Sequence, residues 1–339
     1  MTIEDHPLDE VEPRLWHELL SSSGSVSPFC RYSWLMLLQS AYPLWRVVLV
    51  LAHSGGRLLA GLPYVSSSRL FFHQSHSLPW GTPGGVLLSG DADPALAARL
   101  VGFWTSRNSG ACRPCRLSLT FPGLGAAGEA RKAFRACREQ RQRSLAVPLA
   151  GRSLEQWEAS LDDSVRNQNR QALQRGATFE QVLTPGAAPE IFRLAGLTAH
   201  RHGRKAPPLC ENFYRLLLEP GGPLAEEPEL ARVFMVRVNG MPAAFSVCLT
   251  HAGRLWLWDY GADSSLYDAR PNNLMYSRVI SLAFGQGLDA VDLGAVPAGA
   301  DSLARFKSGF GGMPYERTSW VAASALFRLA AAASRLGGR

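Results

Sequence analysis

Hydrophobic positions along the first half of the chain alternate between the two-residue period of strands and the longer period of helices. An amphipathic stretch around residues 34–38 predicts a helix. Two apolar runs at 45–51 and 58–65, separated by the turn residues Ser-Gly-Gly at 54–56, predict a β-hairpin. After a Gly- and Pro-rich loop at 79–85, the pattern predicts a helix at 94–106, a strand at 116–121, a helix at 127–141 and a strand at 144–149.

The second half repeats this order of elements. Helices are predicted at 154–174, 189–202 and 272–285, and strands at 232–238, 243–250, 255–260, 290–293 and 315–321. Asn-Gly at 239–240 and His-Ala-Gly at 251–253 predict hairpin turns between the first three of these strands. We therefore expect a mixed α/β protein of 339 residues with two similar domains, at 1–150 and 151–339.

Composition narrows the class of protein. With 46% hydrophobic and 19% charged residues, the chain is expected to fold into globular domains, which excludes a disordered or fibrous protein. No apolar run approaches the roughly 18 residues of a membrane span, and the acidic N-terminus is unlike a signal peptide. We expect a cytoplasmic protein.

The charge is unevenly distributed and favours a polyanionic partner. The formal net charge is +7, and nine basic residues lie between positions 107 and 143. A second basic group, Arg166, Arg170 and Arg175, lies on a predicted helix, with the first two on one face. Nucleic acid, a nucleotide-carried group and coenzyme A all fit this charge, and two solvated basic helices would explain it equally well.

Cysteine and histidine give no metal signature. Six cysteines include one C-x-x-C pair, Cys112 and Cys115, but no second pair stands at zinc-binding spacing. The histidine pairs at 73 and 76 and at 200 and 202 lack the i, i+4 spacing of a helical metal clamp. No metal is predicted.

A glycine motif at 123–128 fits G-x-G-x-x-G and follows a predicted strand. The next strand ends without the acidic residue that holds a ribose, and Thr120 replaces the first residue of an acyl-CoA pyrophosphate loop. A tight turn of small residues is the simpler interpretation. The chain has no G-K-[ST] and no G-x-S-x-G motif, which excludes a P-loop kinase and gives no support to nucleophilic hydrolysis. Among these reaction types, the direct transfer of a group from donor to acceptor, without an enzyme nucleophile, remains.

One of only three lysines, Lys307, stands beside Phe306 and ahead of three glycines at 309, 311 and 312. Lysine and arginine are not interchangeable, so this placement favours a compact ammonium. An ammonium beside an aromatic face can stabilise the oxyanion that forms when an amine attacks an ester or thioester. Simple packing of the lysine stem on the aromatic ring is the alternative.

Four stretches, at 164–176, 269–276, 291–294 and 305–312, resemble in order and spacing the FemAB-like aminoacyltransferases. The resemblance implies two tandem GNAT-type domains with mixed, largely antiparallel sheets flanked by helices. It also implies transfer of an aminoacyl group from aminoacyl-tRNA to the amine of a small molecule or cell-wall precursor, without a separate cofactor. By this resemblance, Lys307 stabilises the tetrahedral intermediate and Phe306 packs against it.

Further site residues are predicted around this motif. Asp259 can orient the incoming amine or accept its proton. An asparagine cap at the start of the helix at 272–285 can leave N–H groups free to hold an anion. The residues expected to bind substrate are Trp80, Thr82, Tyr260, Arg270, Asn272, Asn273 and Tyr276. Those expected to contact tRNA phosphates, without reading bases, are Arg131, Lys132, Arg135, Arg138, Arg166 and Arg170.

Two alternatives stay open. An acyl-CoA-dependent N-acyltransferase would use the same fold, although the second half has no R-x-x-G-x-G loop between 259 and 273. A non-catalytic RNA-binding module would use the basic residues but would not need Lys307. DNA is not expected as a partner.

Overall fold

Two compact units make up the chain in the computed structural model, which describes residues 1–25, 27–69, 72–109, 115–121, 127–134 and 137–329. Unit 1 contains Met1–Arg141 and Glu316–Arg339, and unit 2 contains Gln142–Tyr315. The expected division at residue 150 differs from this one because the last strand of the chain returns to the first unit.

Unit 1 has a mixed sheet with helices packed on it. Its strands are β1 (Thr2–Pro7), β2 (Trp45–Ser54), β3 (Arg57–Arg69), β4 (Phe72–His76), β5 (Leu87–Leu88), β6 (Cys115–Phe121), the start of β7 (Arg138–Pro148) and most of β13 (Met313–Ala323). The helices are α1 (Pro13–Ser22), α2 (Tyr32–Ala41), α3 (Ala95–Asn108) and α4 (Ala127–Ala133). The spatial order is β1-β2-β3-β4-β6-β13, with β5 beside β3, and only the β4–β6 pair is parallel among the pairs described. Leu62, Leu100 and Trp104 lie in its buried core.

Unit 2 has a six-stranded sheet in the order β7-β12-β11-β10-β9-β8. Its further strands are β8 (Ala177–Val182), β9 (Ala231–Val238), β10 (Met241–His251), β11 (Arg254–Ala262) and β12 (Ala290–Ala295). The helices are α5 (Leu154–Ala159), α6 (Asp163–Gln174), α7 (Ala188–Arg201), α8 (Glu211–Leu217), α9 (Pro271–Gly285) and α10 (Asp301–Gly309). Only β11 and β12 pair in parallel within this sheet. No helix in the described ranges is long and apolar enough to cross a membrane.

The hairpin turns of unit 2 follow from their residues. Asn239 and Gly240 both have positive φ, 50° and 82°, and Ala252 and Gly253 have φ of 47° and 72°. Two successive residues with positive φ are typical of the turn whose twist matches that of the flanking strands. The predicted strands on either side of both turns are therefore confirmed, and they place β11 in the middle of the sheet.

The predicted helix at 127–141 is wrong beyond Ala133. The chain leaves α4 there and forms β7 from Arg138, so Arg138, Arg141 and Arg143 lie on a strand. The Trp320 indole donates to Glu139 at 3.4 Å, and Arg141 forms ion pairs with Glu139 at 2.8 Å and with Glu316 at 3.8 Å. Contacts with β13 thus override the helical preference of a polar, arginine-rich stretch.

The return of β13 to unit 1 explains the difference in domain division. Its residues pair with β6 in antiparallel register from Thr318 opposite Phe121 to Ala323 opposite Arg116. Sheet pairing is a long-range contact, so the local pattern at 315–321 predicts the strand but not its partner.

Candidate active site

The site begins where two parallel strands of unit 2 separate. β11 and β12 pair from Arg254 opposite Ala290 to Trp256 opposite Asp292. Beyond these residues β11 stays paired with β10, whereas β12 stays with β7 as far as Ala295 opposite Ser144. The carboxyl ends of the two strands therefore diverge and leave a space between them.

A cavity of about 780 Å³ occupies this space, a volume typical of a site for a small ligand. Asp259 and Tyr260 of β11 and Ala295 of β12 line it. Helices close the other sides. Their lining residues include Arg201 and His202 around the end of α7, Arg204 just beyond it, Asn272 and Tyr276 of α9, and Ser302, Leu303 and Phe306 of α10.

β11 has a β-bulge directly before Asp259. Val247 of β10 faces Asp259, but the next residue, Cys248, faces Leu257, so Trp258 is an extra residue in β11. Neighbouring residues of a regular strand point to opposite faces, and a bulge interrupts that alternation. Asp259 and Tyr260, which follow the bulge, both line the cavity.

The Asp259 carboxyl group is the acidic group in the cavity wall. Its Oδ2 accepts a hydrogen bond from the Tyr214 hydroxyl at 2.7 Å. Burial raises the pKa of Asp259 to about 6, against the opposing effect of hydrogen bonds from Tyr214 and from the Tyr260 backbone. A carboxylate with a pKa close to neutral pH is suited to accept a proton from a reacting amine.

Aromatic side chains of α9 and α10 form another part of the cavity wall. The rings of Tyr276 and Phe306 meet edge to face at 5.0 Å, and Phe310 packs against both, at 5.4 Å from Tyr276 and 5.1 Å from Phe306. Burial raises the pKa values of Tyr260 and Tyr276, so both phenols remain protonated donors at neutral pH. This wall is apolar in its bulk and carries hydroxyl groups, an arrangement that orients a ligand as well as excluding water.

Lys307 lies behind this wall, in the last turn of α10, and is 1% exposed. Its Nζ donates to the carbonyl oxygens of Gly294 at 3.1 Å and Ala295 at 2.9 Å. It is not among the residues that line the cavity, whereas its neighbour Phe306 and its partner Ala295 are. The contacts described give Lys307 a structural role in fixing the end of β12, and its oxyanion role stays a prediction.

The same strand end is held from its other side by a buried carboxylate. Asp292, 1% exposed, accepts hydrogen bonds from the Gly294 backbone at 2.8 Å and from the Tyr315 hydroxyl. Gly294 has φ of +79°, a conformation that favours glycine. Asp292 thus fixes the Gly294 N–H group, and Lys307 fixes the Gly294 and Ala295 carbonyls at the end of β12.

The start of α9 differs from the prediction. Arg270, exposed and with φ of 53°, is the N-cap residue, and the helix begins at Pro271. The expected asparagine cap is therefore wrong: Asn272 and Asn273 are the second and third helical residues. Asn272 lines the cavity and Asn273 is buried, whereas Arg270 is not among the lining residues.

Trp80 and Thr82 lie in unit 1. Trp80 has φ of 58° and packs against Tyr42 and Trp45, with ring centroids 5.7 and 5.4 Å away. Thr82 is buried, and its hydroxyl donates to the Pro79 carbonyl at 2.7 Å. Neither residue is among those that line the unit 2 cavity.

Several of the predicted tRNA contacts are engaged within the protein. Arg131 donates to the Phe134 carbonyl at 3.0 Å, Lys132 pairs with Glu129 at 2.6 Å, and Arg166 donates to the carbonyls of Ala159 and Leu161 at the end of α5. Arg138 and Arg170 are exposed. Arg135 lies outside the described residues, as do Cys112 and positions 123–126 of the glycine motif.

A cluster of three basic cavity residues, Arg201, His202 and Arg204, was not predicted from the sequence to belong to the site. Arg201 and Arg204 are exposed at the mouth, where the Arg201 guanidinium lies 5.1 Å from the ring centroid of Tyr267. Burial lowers the pKa of His202, and the charges of Arg201 and Arg204 lower it further. The electrostatic potential at the cavity mouth is therefore positive. The cluster Arg201, His202 and Arg204 was visible in the sequence, but Tyr214 on α8 has no local signal that connects it to Asp259.

Five described cysteines, at positions 30, 115, 137, 210 and 248, are free thiols. In the described ranges, no three His, Cys, Asp or Glu side chains come together as a metal site. The cavity lining supplies carboxyl, hydroxyl, amide, imidazole and guanidinium groups.

Comparison with known proteins identifies the fold. Residues 159–315 match the family model of the acetyltransferase (GNAT) domain. Among solved structures, FemX has a TM-score of 0.64 at 12% identity, with 94% of this chain and 97% of FemX covered. The C-terminal domain of a putative lysylphosphatidylglycerol synthetase from Agrobacterium fabrum has a TM-score of 0.57 at 13% identity, covering 95% and 96%. A tandem GNAT protein from the clavulanic acid biosynthesis pathway has a TM-score of 0.55 at 13% identity, covering 95% and 98%.

No curated protein matches the sequence significantly. The chain therefore contains a GNAT domain, the domain of acyltransferases, and its full length has the FemAB-like tandem GNAT fold. The predicted fold class, mixed α and β with largely antiparallel sheets flanked by helices, is confirmed.

Proposed function

We propose that this protein is an aminoacyltransferase that forms an amide at the unit 2 cavity. Its donor is aminoacyl-tRNA, and its acceptor is the primary amine of a small molecule or a cell-wall precursor. The observation that carries the proposal is the cavity at the separation of β11 and β12, which combines the Asp259 carboxyl group with cationic Arg201 and Arg204 at its mouth. The FemAB-like fold supports the same reaction class.

The reaction follows from the groups in the cavity. The acceptor nitrogen attacks the ester carbonyl carbon, so a C–N bond forms, and the C–O bond to the tRNA ribose breaks. Asp259 accepts the proton that the amine loses, and the ribose oxygen leaves as a hydroxyl after taking up a proton. Asn272 and the hydroxyl groups of Tyr260 and Tyr276 are among the polar groups of the lining that can orient the ester. Lys307 holds the Ala295 wall and supplies a fixed positive charge behind it.

The loop after β11 favours tRNA over coenzyme A as the donor. In a CoA-dependent enzyme this loop would offer free backbone N–H groups to a pyrophosphate. Here the Asp263 carboxylate accepts from the Ser265 backbone at 3.0 Å and from its hydroxyl at 2.6 Å. The Arg270 and Asn273 N–H groups donate to the carbonyls of Tyr267 and Arg270. These N–H groups are thus engaged within the protein, and the Asp263 carboxylate also pairs with Arg193 at 3.2 Å.

Arg201 and Arg204 are suited to contact the phosphodiester backbone of a tRNA. Arginine contacts to phosphate position a nucleic acid without reading its sequence, and such binding weakens with salt because counterions are released. No separate cofactor is proposed, since aminoacyl-tRNA is a co-substrate. A donor made for translation also fits the cytoplasmic location expected from the sequence.

A second candidate is an acyl-CoA-dependent N-acyltransferase. The matched family model, an acetyltransferase domain, favours it. The two candidates share the acceptor amine and Asp259, and they differ in the donor that the cavity mouth must recognise.

A binding titration tests the donor. Purified protein is titrated with total aminoacyl-tRNA, the same tRNA deacylated, and acetyl-CoA, each at low and at moderate salt. We expect salt-sensitive binding that favours the aminoacylated form, with acetyl-CoA silent. Tight acetyl-CoA binding without tRNA binding would overturn the tRNA donor and leave the second candidate.

A further inference from the structure

Tyr214 on α8 contacts the central carboxyl group of the site from outside the cavity lining. Its side chain is fully buried, and its hydroxyl donates to Asp259 Oδ2 at 2.7 Å. The ring is held edge to face by Phe213 at 5.9 Å and by Phe245 of β10 at 5.7 Å. Because both flanking rings are themselves buried, the hydroxyl has a fixed position relative to the carboxyl group.

We propose that Tyr214 is a positioning residue: its hydroxyl orients the Asp259 carboxyl group and stabilises the ionised form that accepts the proton of the attacking amine. The inference rests on the proposed role of Asp259 in amide formation. A hydrogen bond to a charged group stabilises that group more than one between neutral groups does. A tyrosine remains protonated at neutral pH, so it donates this bond without competing for the proton.

The other groups around Asp259 do not replace this bond. Ser246 donates to the Asp259 backbone carbonyl at 3.2 Å, not to its carboxyl group. Burial raises the pKa of Tyr260 against the opposing charges of Arg201 and Arg204, and burial followed by the same two charges lowers the pKa of His202. The groups that act on the Asp259 carboxyl are the Tyr214 hydroxyl of α8 and the Tyr260 backbone of β11. The other titratable and charged residues of the same cavity lining are Tyr260 of β11, Tyr276 of α9, and Arg201, His202 and Arg204 from and just beyond the end of α7.

Burial and the Tyr214 bond act on Asp259 in opposite directions. Burial disfavours the carboxylate and raises the pKa of Asp259 to about 6, while the Tyr214 hydroxyl favours the carboxylate. Removing the hydroxyl therefore raises this pKa further. The strength of a hydrogen bond to a charged group corresponds to a shift of about one pKa unit.

The test measures the Asp259 carboxyl group directly. Protein labelled with carbon-13 at aspartate Cγ is titrated by NMR, and the Asp259 signal is assigned by its loss in Asp259→Asn. We expect a midpoint near 6 in the wild type. In Tyr214→Phe it should rise by about one unit. The matched control is Tyr64→Phe, which removes another buried hydroxyl, one bonded to Asn108 in unit 1, and should leave the Asp259 midpoint unchanged.

A second measurement does not depend on how Tyr214→Phe folds. Wild-type protein made with 3-fluorotyrosine has more acidic phenols, which are stronger donors, so the Asp259 midpoint should fall. A midpoint that is unchanged in both experiments would overturn the role of Tyr214.

The pH profile of transfer separates this inference from the proposed function. Formation of labelled aminoacyl amide from aminoacyl-tRNA is measured between pH 5 and 9. The transfer rate of Tyr214→Phe should be about tenfold below that of the wild type on the acid side of the profile and less than about twofold below it at pH 8.5. The reason is that the acid limb of the profile follows the pKa of Asp259. A shifted NMR midpoint with no transfer by the wild type would refute the proposed function while supporting Tyr214. If the wild type transfers, but Tyr214→Phe changes neither the Asp259 titration midpoint nor the acid limb of the profile, the positioning role of Tyr214 alone would be refuted.

Discussion

Replacing Asp259 by asparagine should stabilise the protein at neutral pH while abolishing transfer. Burial raises the pKa of this carboxyl group from 3.8 to about 6, so the folded protein binds its proton more tightly than the unfolded chain does. Below about pH 4 the Asp259 carboxyl group is protonated, so its burial costs the folded state no ionisation free energy. As the pH rises from about 4 towards 6, the folded state loses stability relative to the unfolded chain, and above pH 6 this loss stays constant. At 1.36 kcal/mol per pKa unit, a shift of about two units corresponds to about 3 kcal/mol.

Asparagine has nearly the same shape and cannot ionise. The free energy of unfolding of Asp259→Asn should therefore match that of the wild type at pH 4 and exceed it by up to about 3 kcal/mol at pH 7.5. Urea denaturation at both pH values measures this difference. Asp263→Asn is the matched control of opposite sign, because hydrogen bonding by Ser265 lowers the pKa of Asp263. That control should be less stable than the wild type at pH 7.5. An Asp259→Asn protein destabilised equally at both pH values would refute the reasoning.

Three further predictions concern the wall and the mouth of the cavity. Lys307→Met leaves two buried carbonyls without their donor and should lower the free energy of unfolding by about 2–4 kcal/mol as well as reducing transfer, which urea denaturation and the transfer assay measure. Gly312→Ala would place a Cβ 2.6 Å from the Lys307 carbonyl oxygen, so we expect a loss of about 2 kcal/mol or more, visible as a lower melting temperature. Arg201→Glu combined with Arg204→Glu should weaken tRNA binding and reduce the slope of log affinity against log salt by about 2.

Each of these three has a matched control. Lys132→Met removes an exposed ion pair and should cost less than about 1 kcal/mol. Gly186→Ala places a Cβ in open space, with nothing within 4 Å, and should be nearly neutral. The double change of Arg14 and Arg57 to glutamate alters the charge equally on unit 1 and should leave the salt slope less affected. Equal effects of a variant and its control would contradict the role given to the cavity residue.

Local sequence patterns were sufficient for the middle of unit 2. Strands β9 to β11 and helix α9 were predicted because strong apolar periodicity is bounded there by turn residues that require positive φ. The residues at 138–141, predicted as the end of a helix, form the start of β7 instead; they are Arg-Glu-Gln-Arg, polar at every position, and carry no hydrophobic period. Their strand structure depends on pairing contacts with Trp320 and Glu316 that are distant in sequence.

The site shows the same division between local and long-range information. Asp259, Tyr260, Asn272, Tyr276 and Phe306 were all named from motifs, and the separation of β11 from β12 brings them to one cavity. The buried position of Lys307 on two backbone carbonyls depends on how α10 packs against β12, which no local pattern encodes.

Tyr214 was missed for the same reason. It reaches Asp259 only because α8 packs on the sheet near Phe245. Arg201 and Arg204 were overlooked for a different reason: the histidines between and before them were considered only as metal ligands, whereas the arginines carry the charge at the cavity mouth.

The most direct test of the central claim is a single-turnover transfer assay. Labelled aminoacyl-tRNA, or labelled acetyl-CoA in parallel, is mixed with excess protein and a pool of primary amines that includes cell-wall precursors, and amide products are identified by mass spectrometry. We predict aminoacyl amide from aminoacyl-tRNA with the wild type and its loss with Asp259→Asn, which should remain folded. Equal transfer by the two proteins would contradict the role of Asp259. Acetyl amide alone would contradict the tRNA donor, and tRNA binding without any amide would indicate a non-catalytic RNA-binding protein.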